Sequence, residues 1–365
     1  MVRVAAVFVA LGVLLTGQFA LGGTDQAGSW NVSVGEQKKA PAGTPKQTFL
    51  NQFFPGQLTI TAGDKVTFSS VGFHTASYTS GKPFPPFLLL PKGKVYEGIV
   101  DSAGEPFFFD GEQKFEYGLG LFAPAGPKTI SRGKFASSGV IVAQNPKKPV
   151  TATYTFPQVG KFKMVCLIHP PDMAMNIVVK PKGVSVPSAE EVAARAQAET
   201  DAAWAKAKAL VAQKPPANTI YMGVESAKTP GGRTTILDFV PNLSTVKVGT
   251  TVNFVVKAPT EVHNAAFGPL KYLDKLFKQT DLFPMGPSSP NQVTPFFVFG
   301  SDPPGTPYEG KTTHGNGFYA TPLLDAIKGA PPPNSVRVKF TTPGKYHFIC
   351  QLHGPDMAAD IRVTG

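Results

Sequence analysis

The chain carries one pattern written twice, and this repeat limits its fold more than any other feature. A fifteen-residue stretch opening at Phe54-Pro55-Gly56 and ending at Phe68 aligns without a gap to the stretch from Val240-Pro241-Asn242 to Phe254. In the first copy Leu58 and Ile60, then Val66 and Phe68, alternate with polar residues, which marks two half-buried strands. Gly63-Asp64 and Gly249-Thr250 turn the chain between the strands of each copy. A second pair matches Gly160–Cys166 to Gly344–Cys350. Period two puts Phe162, Met164 and Cys166 on one strand face, and Tyr346, Phe348 and Cys350 on its counterpart. Lys163 and His347 fall on the opposite faces. The expectation is one β domain duplicated in tandem.

Each repeated strand runs into an octet. Cys166-Leu167-Ile168-His169-Pro170-Pro171-Asp172-Met173 is echoed by Cys350-Gln351-Leu352-His353-Gly354-Pro355-Asp356-Met357. The chain has only two Cys, and both fall here. A further imidazole stands upstream of each octet, His74 in the first half and His263 in the second. Two His, one Cys and a weak axial Met make the ligand set of a blue-copper electron-transfer site. A Cys at a strand end is fixed by the sheet, while His and Met follow on one short loop. Pro170, Pro171 and Pro355 stiffen that loop, and Leu167, Ile168 and Leu352 keep water from it. Zinc also takes Cys and His, but its closed structural sites use four strong ligands, and thioether is not among the usual ones. A Cys–His nucleophile pair has no need of Met seven residues on. A Cys166–Cys350 bridge is the remaining use of the two thiols, and the spacing disfavours it.

Gly and Pro together are 73 of 365 residues, which suits many turns and short strands, while 28 Phe argue against disorder. Residues 1–23 read as a secretory signal with Arg3 before an apolar run, an uncleaved membrane anchor being the alternative. The site is therefore expected outside the cytoplasm: periplasmic, cell-surface or secreted. Residues 24–48 read as a flexible tether, with order beginning near Phe49. Residues 49–182 form the expected first domain and 217–365 the second, each able to fold alone. Between them, 183–216 holds a helix from the capping box Ser188-Ala189-Glu190-Glu191 to Gln213, stopped by Pro215-Pro216. Val192, Ala196, Ala203, Ala207 and Leu210 form its apolar stripe, with Trp204 beside it, and lie against one or both domains.

The formal charge is +11, and residues 35–182 carry 17 basic and 9 acidic side chains. An acidic redox partner is the expectation from this balance. No basic–aromatic interleaving points to nucleic acid.

These residues resemble the cupredoxins, the plastocyanin/azurin type of blue copper protein, in tandem. The resemblance covers roughly 50–182 and 219–365. It implies two antiparallel Greek-key β-sandwiches, an all-β fold, joined by the Ala-rich helix. It carries over the copper ligands His74, Cys166, His169 and Met173, then His263, Cys350, His353 and Met357. It further implies that His169 and His353 reach the surface through apolar patches, as the ports for electrons. His263-Asn264 matches a frequent His-Asn pair in which Asn braces the site, whereas the first half has Thr75 there. The spacing from His74 to Cys166 and from His263 to Cys350 is about twice that of small cupredoxins, with Phe-, Pro- and Gly-rich inserts. The function implied is electron transfer without catalysis. A two-domain copper oxidase or nitrite reductase is the alternative, followed by copper buffering or delivery. Against an enzyme, six His less four ligands leaves only His314 and His347, and Val165, Leu167, Ile349 and Gln351 occupy the positions beside Cys where multicopper oxidases need His.

Overall fold

The computed structural model describes residues 27–36, 39–85, 88–89, 115–117, 121–143, 148–279, 292–293, 319–321, 324–326 and 334–365. The signal-like segment, His314 and the Phe-rich stretches that the two inserts share, 106–109 and 295–298, lie outside them. The first half begins with β1 (Ser29–Val34), β2 (Thr48–Phe54), β3 (Gln57–Thr61), β4 (Lys65–Ser70) and β5 (His74–Tyr78). It continues through β6 (Leu88–Leu89), β7 (Phe115–Tyr117), β8 (Ala136–Ile141), β9 (Val150–Thr155), β10 (Gly160–Val165) and β11 (Ala174–Lys180). The linker is α1 (Ala189–Ala205) and α2 (Ala207–Val211). The second half opens with β12 (Thr219–Glu225), β13 (Gly232–Val240), β14 (Leu243–Lys247), β15 (Thr251–Lys257), β16 (Val262–His263) and β17 (Ala266–Phe267). After α3 (Leu270–Gln279) come β18 (Gln292–Val293), β19 (Tyr319–Ala320), β20 (Leu324–Asp325), β21 (Ser335–Lys339), β22 (Gly344–Cys350) and β23 (Gly354–Thr364).

Each half is a two-sheet sandwich. Phe54-Pro55 and Val240-Pro241, both cis, sit where the chain leaves one sheet for the other. β3 therefore lies beside β11 in the order β3-β11-β10-β5-β8, and β14 lies beside β23 in β14-β23-β22-β17-β19. The pairing is antiparallel except where this switch reverses it: β1 runs parallel to β4, β3 to β11, β12 to β15 and β14 to β23. Phe53, Phe68, Phe156 and Phe162 fill the first sandwich, and Phe239, Phe254, Phe267 and Phe348 the second. Each such ring, fully buried, stabilises its sandwich by roughly 1.5–3 kcal/mol.

The remaining two sheets of the sandwiches are one. β13 pairs antiparallel with β2, Gly232 opposite Gln52 through Ile236 opposite Thr48. The sheet runs β21-β15-β12-β13-β2-β1-β4-β9 across both halves. Asn51 Nδ2 donates to Thr235 Oγ1 at 3.1 Å, and Gln52 Nε2 to Thr234 Oγ1 at 3.2 Å, along this seam. The inserts also meet, in a short sheet of order β18-β7-β6.

The linker helix is capped as expected: Glu191 N–H donates to Ser188 Oγ at 3.1 Å and Ser188 N–H to Glu191 Oε2 at 2.7 Å. It lies against both halves. Val192 joins the first core, Ala203 and Trp204 cover Leu50 and Phe54, and Ala207 and Leu210 cover Val224, Ile236 and Val240.

The tether expectation fails between residues 29 and 34. β1 is a full strand of the shared sheet, with Trp30, Val32 and Val34 buried. Trp30 Nε1 donates to Asp64 Oδ2 at 2.8 Å, which pins β1 to the turn before β4. A three-point apolar alternation in a polar neighbourhood was outweighed in the sequence by the Gly, Thr and Lys around it.

Candidate metal centres

Two groups that could each hold a metal ion stand one in each sandwich, His74 with Cys166 and His169, all buried, and His263 with Cys350 and His353, of which only His353 is half-buried. β10 and β22 deliver the Cys as the alternation requires, with Phe162, Met164, Tyr346 and Phe348 buried behind them. Cys166 N–H donates to Met173 O at 2.9 Å and Met173 N–H to His169 O at 3.2 Å, which folds the first ligand loop back on itself. His353 N–H donates to Cys350 O at 3.2 Å in the second. His74 opens β5, opposite Ile141, and His263 closes β16, opposite Leu324.

All four ring contacts use Nδ1. Cys166 Sγ lies 3.4 Å from His169 Nδ1 and 4.0 Å from His74 Nδ1, and the two Nδ1 atoms are 3.1 Å apart. Cys350 Sγ lies 3.3 Å from His353 Nδ1 and 3.8 Å from His263 Nδ1. Metal bonds of about 2.0–2.3 Å at tetrahedral angles separate donors by roughly 3.3–3.8 Å, so both groups fit one ion each. Met173 and Met357 are fully buried in the same cores as Cys166 and Cys350.

The charge balance also fits a cation. Burial alone would raise the Cys166 thiol, but His169 and His74 hold it well below the usual thiol range. Cys350 is lowered in the same way by His353 and His263 against its burial. Burial depresses His263. Its Nε2 is buried without a hydrogen-bond partner. A neutral ring protonated at Nε2 leaves Nδ1 free as the metal donor.

The Thr75 departure has a structural answer. Asn264 Oδ1 accepts from Gln351 N–H at 2.8 Å, and Asn264 Nδ2 donates to Gln351 Oε1 at 2.9 Å. In the first half Thr75 Oγ1 accepts the corresponding bond from Leu167 N–H, also at 2.8 Å. Thr75 N–H additionally donates to Cys166 Sγ at 3.4 Å. Either side chain therefore ties the upstream His segment to the residue after Cys.

Two glycines escaped the sequence reading. Pairing sets Val32 opposite Phe68 and Ile220 opposite Phe254, so Gly35 and Gly223 correspond. Both have positive φ, +75° and +62°. A Cβ on Gly35 would sit 2.3 Å from His74 Nε2, and one on Gly223 2.4 Å from His263 Nε2. Only glycine accepts this backbone and leaves the back of the ring its space.

The expected surface position of His169 and His353 is not observed. His169 is 7% exposed, and His353 is half-buried, its side chain 17% exposed. The two loop histidines face each other across the seam between the halves, with Glu261 between them. Glu261 Oε1 lies 3.3 Å from His169 Nε2, and Oε2 lies 3.7 Å from His353 Nε2. A cavity of about 250 Å³ adjoins them, lined by Phe49, Phe73, Ile168, Leu237 and Leu352 among others. The apolar patches around the two ports are thus turned inward on one another. Burial alone would raise the Glu261 carboxyl, but His169 and His353 hold it at about 2. Burial works against protonation of His169 and His353, yet Glu261 and the neighbouring thiolates push them up to about 9 and about 10.

Interdomain charges surround this centre. Asp172, in the first ligand loop, accepts from Arg233 Nε at 2.7 Å and from Lys228 Nζ at 2.7 Å, both in the second half. Arg233 also lies 3.5 Å from Glu225, whose carboxyl burial raises to about 7. The equivalent Asp356 is exposed. Of the two leftover histidines, His347 is held by Asp360 at 2.9 Å on the face of β22 turned from the core.

No family model matches the sequence, and no curated protein matches it. Among solved structures, a plastocyanin from Dryopteris crassirhizoma is 21% identical over 40% of this chain and 99% of its own, with a TM-score of 0.23. A purple cupredoxin from Nitrosopumilus maritimus is 13% identical over 40% of this chain and 98% of its own, with a TM-score of 0.21. An amicyanin variant in its Cu(I) form is 13% identical over 42% of this chain and 90% of its own, with a TM-score of 0.22. The chain is built of two β-sandwiches in tandem, each with a His-Cys-His group that could hold a metal ion and a fully buried Met in the same core.

Proposed function

We propose that the chain is an exported electron-transfer protein that holds one type 1 copper ion in each half. The observation that carries this reading is the duplicated, buried pairing of one thiolate with two Nδ1 atoms at metal-site spacing. The ligands would be His74, Cys166, His169 and Met173 in the first half, and His263, Cys350, His353 and Met357 in the second. Copper held by such a set supplies one-electron exchange. The residues supply the rest. The sheets fix each Cys, Gly35 and Gly223 seat one ring, Thr75 and Asn264 brace the ligand loops, and the apolar cores exclude water. A rigid donor set of this kind limits ligand movement when the oxidation state changes.

An electron carrier rather than an enzyme suits the histidine inventory, since His347 is engaged by Asp360. The proposed partner is a redox protein with an acidic surface. The inward-facing His169 removes the expected docking face, so the net positive charge of the first half supports steering of the encounter and not its contact point. The test is spectroscopic. Purified protein should bind two coppers and, when oxidised, show an intense thiolate-to-copper band in the visible. Cys350→Ser should remove about half of it. Copper uptake with no such band would refute type 1 sites, and sustained reduction of dioxygen or nitrite would refute a carrier.

A further inference from the structure

Glu261 belongs to the second half, two residues before the ligand His263, yet it reaches the first. Its Oε1 accepts from Asn51 Nδ2 at 2.7 Å, a side chain on β2 of the first half, and lies 3.3 Å from His169 Nε2. Its Oε2 lies 3.7 Å from His353 Nε2. Its side chain is only 13% exposed. Asn51 is itself 2% exposed and anchored by a second bond, to Thr235 across the seam. The carboxylate is therefore held in place from both halves, with one oxygen toward each loop histidine.

Each of those histidines turns Nδ1 to its Cys, so with a metal on Nδ1 the ring's one proton would stand on Nε2. A carboxylate at Nε2 fixes that tautomer and ring orientation and makes the ring a stronger donor. Elsewhere such a partner serves one ligand; here a single carboxylate stands at two. The counterpart of Glu261 two residues before His74 is Gly72, which supplies no charge.

Resting on the two-copper reading, we propose that Glu261 is a shared positioning residue: one carboxylate from the second half orients and polarises the loop histidines of both metal sites. The two sites are then not independent copies, because the first depends on a side chain of the other half. Loss of negative charge beside a ligand disfavours the oxidised ion, so both reduction potentials should rise when Glu261 is neutralised.

The test uses full-length, copper-loaded protein carrying Cys166→Ser or Cys350→Ser, which leaves a single site in each case. In both backgrounds Glu261→Gln should raise the reduction potential of the remaining site and weaken its copper affinity about 10-fold or more. Glu261→Asp, which keeps the charge, should restore part of each effect. A change confined to the second site would overturn the proposal and reduce Glu261 to a local residue, as would unmoved potentials with altered stability. The metal-free protein gives a readout that does not depend on the copper reading. Side-chain ¹⁵N resonances of both His169 and His353 should move in Glu261→Gln. Movement of His353 alone, or of neither, would also overturn the proposal. Absence of blue copper from the unsubstituted protein, with both resonances still moving, would instead retire the copper reading and leave the shared carboxylate standing.

Discussion

At the scale of single residues, the members of the two His-Cys-His groups stood out because a His and a Met recur at fixed intervals after the only two Cys. The residues that seat and tune them were not. Gly35 and Gly223 correspond only once strand pairing is known, since Val34-Gly35 and Met222-Gly223 are too short a match to stand out. Glu261 has Gly72 as its counterpart, so a repeat could not flag it. Gly223→Ala should force a Cβ into the space of His263 Nε2. About half of the visible copper band should be lost or displaced, the half belonging to the second site, and Gly35→Ala should do the same to the first. An unchanged spectrum in both variants would show that the glycines do not seat these rings. Thr75→Val keeps the shape but leaves Leu167 N–H without its acceptor in a buried loop. It should cost about 1–3 kcal/mol of stability by denaturant unfolding, with the second site's spectrum untouched.

At the scale of elements, the alternation in β10 and β22 and the capping box of α1 were read directly, because local pattern decides them. β1 was missed because its place is decided by distant partners. Asp64 is the clearest of these. It accepts from Gly28 N–H, Trp30 Nε1, Thr61 N–H and Thr61 Oγ1. Burial alone would raise its carboxyl, but these donors bring it below the usual carboxylate value. A carboxyl lowered on folding contributes stability above its unfolded value, about 3.9, and that contribution is lost as pH falls through the lowered folded value. Asp64→Asn should therefore reduce stability by about 2 kcal/mol at neutral pH. The difference from the unsubstituted protein should shrink below about pH 4. A gap that stays constant down to pH 2 would mean that the charge plays no part. On the linker, Trp204→Ala should cost about 3 kcal/mol, since it uncovers Leu50 and Phe54.

At the scale of the whole molecule, the sequence reads as two separable domains, while the structure joins them in one sheet. Pairing of β2 with β13 leaves no local mark, because backbone bonds across a strand edge do not depend on which side chains the strand carries. Residues 217–365 expressed alone would expose the edge of β13 that pairs with β2, Gly232 through Ile236, and the apolar faces of Val224, Ile236 and Val240. An exposed strand edge promotes association. The isolated half should aggregate or dimerise, and a stable monomer by light scattering would show that the seam is dispensable. The same seam turns both loop histidines inward, where the family resemblance placed them at the surface. Electron exchange with an acidic partner should still slow as salt rises, because the Debye length falls from about 10 Å at 0.1 M to about 3 Å at 1 M. Stopped-flow rates that are flat across that range would remove the charge steering.

The central claim is that two copper ions sit in two separate, facing sites with a protein carboxylate between them. Anomalous scattering at the copper edge, from crystals of the copper-loaded full-length protein, tests it most directly. The account predicts two peaks, one among His74 Nδ1, Cys166 Sγ and His169 Nδ1, the other among His263 Nδ1, Cys350 Sγ and His353 Nδ1, on opposite sides of Glu261. A single peak, or an ion seated at the Nε2 atoms beside Glu261, would contradict it.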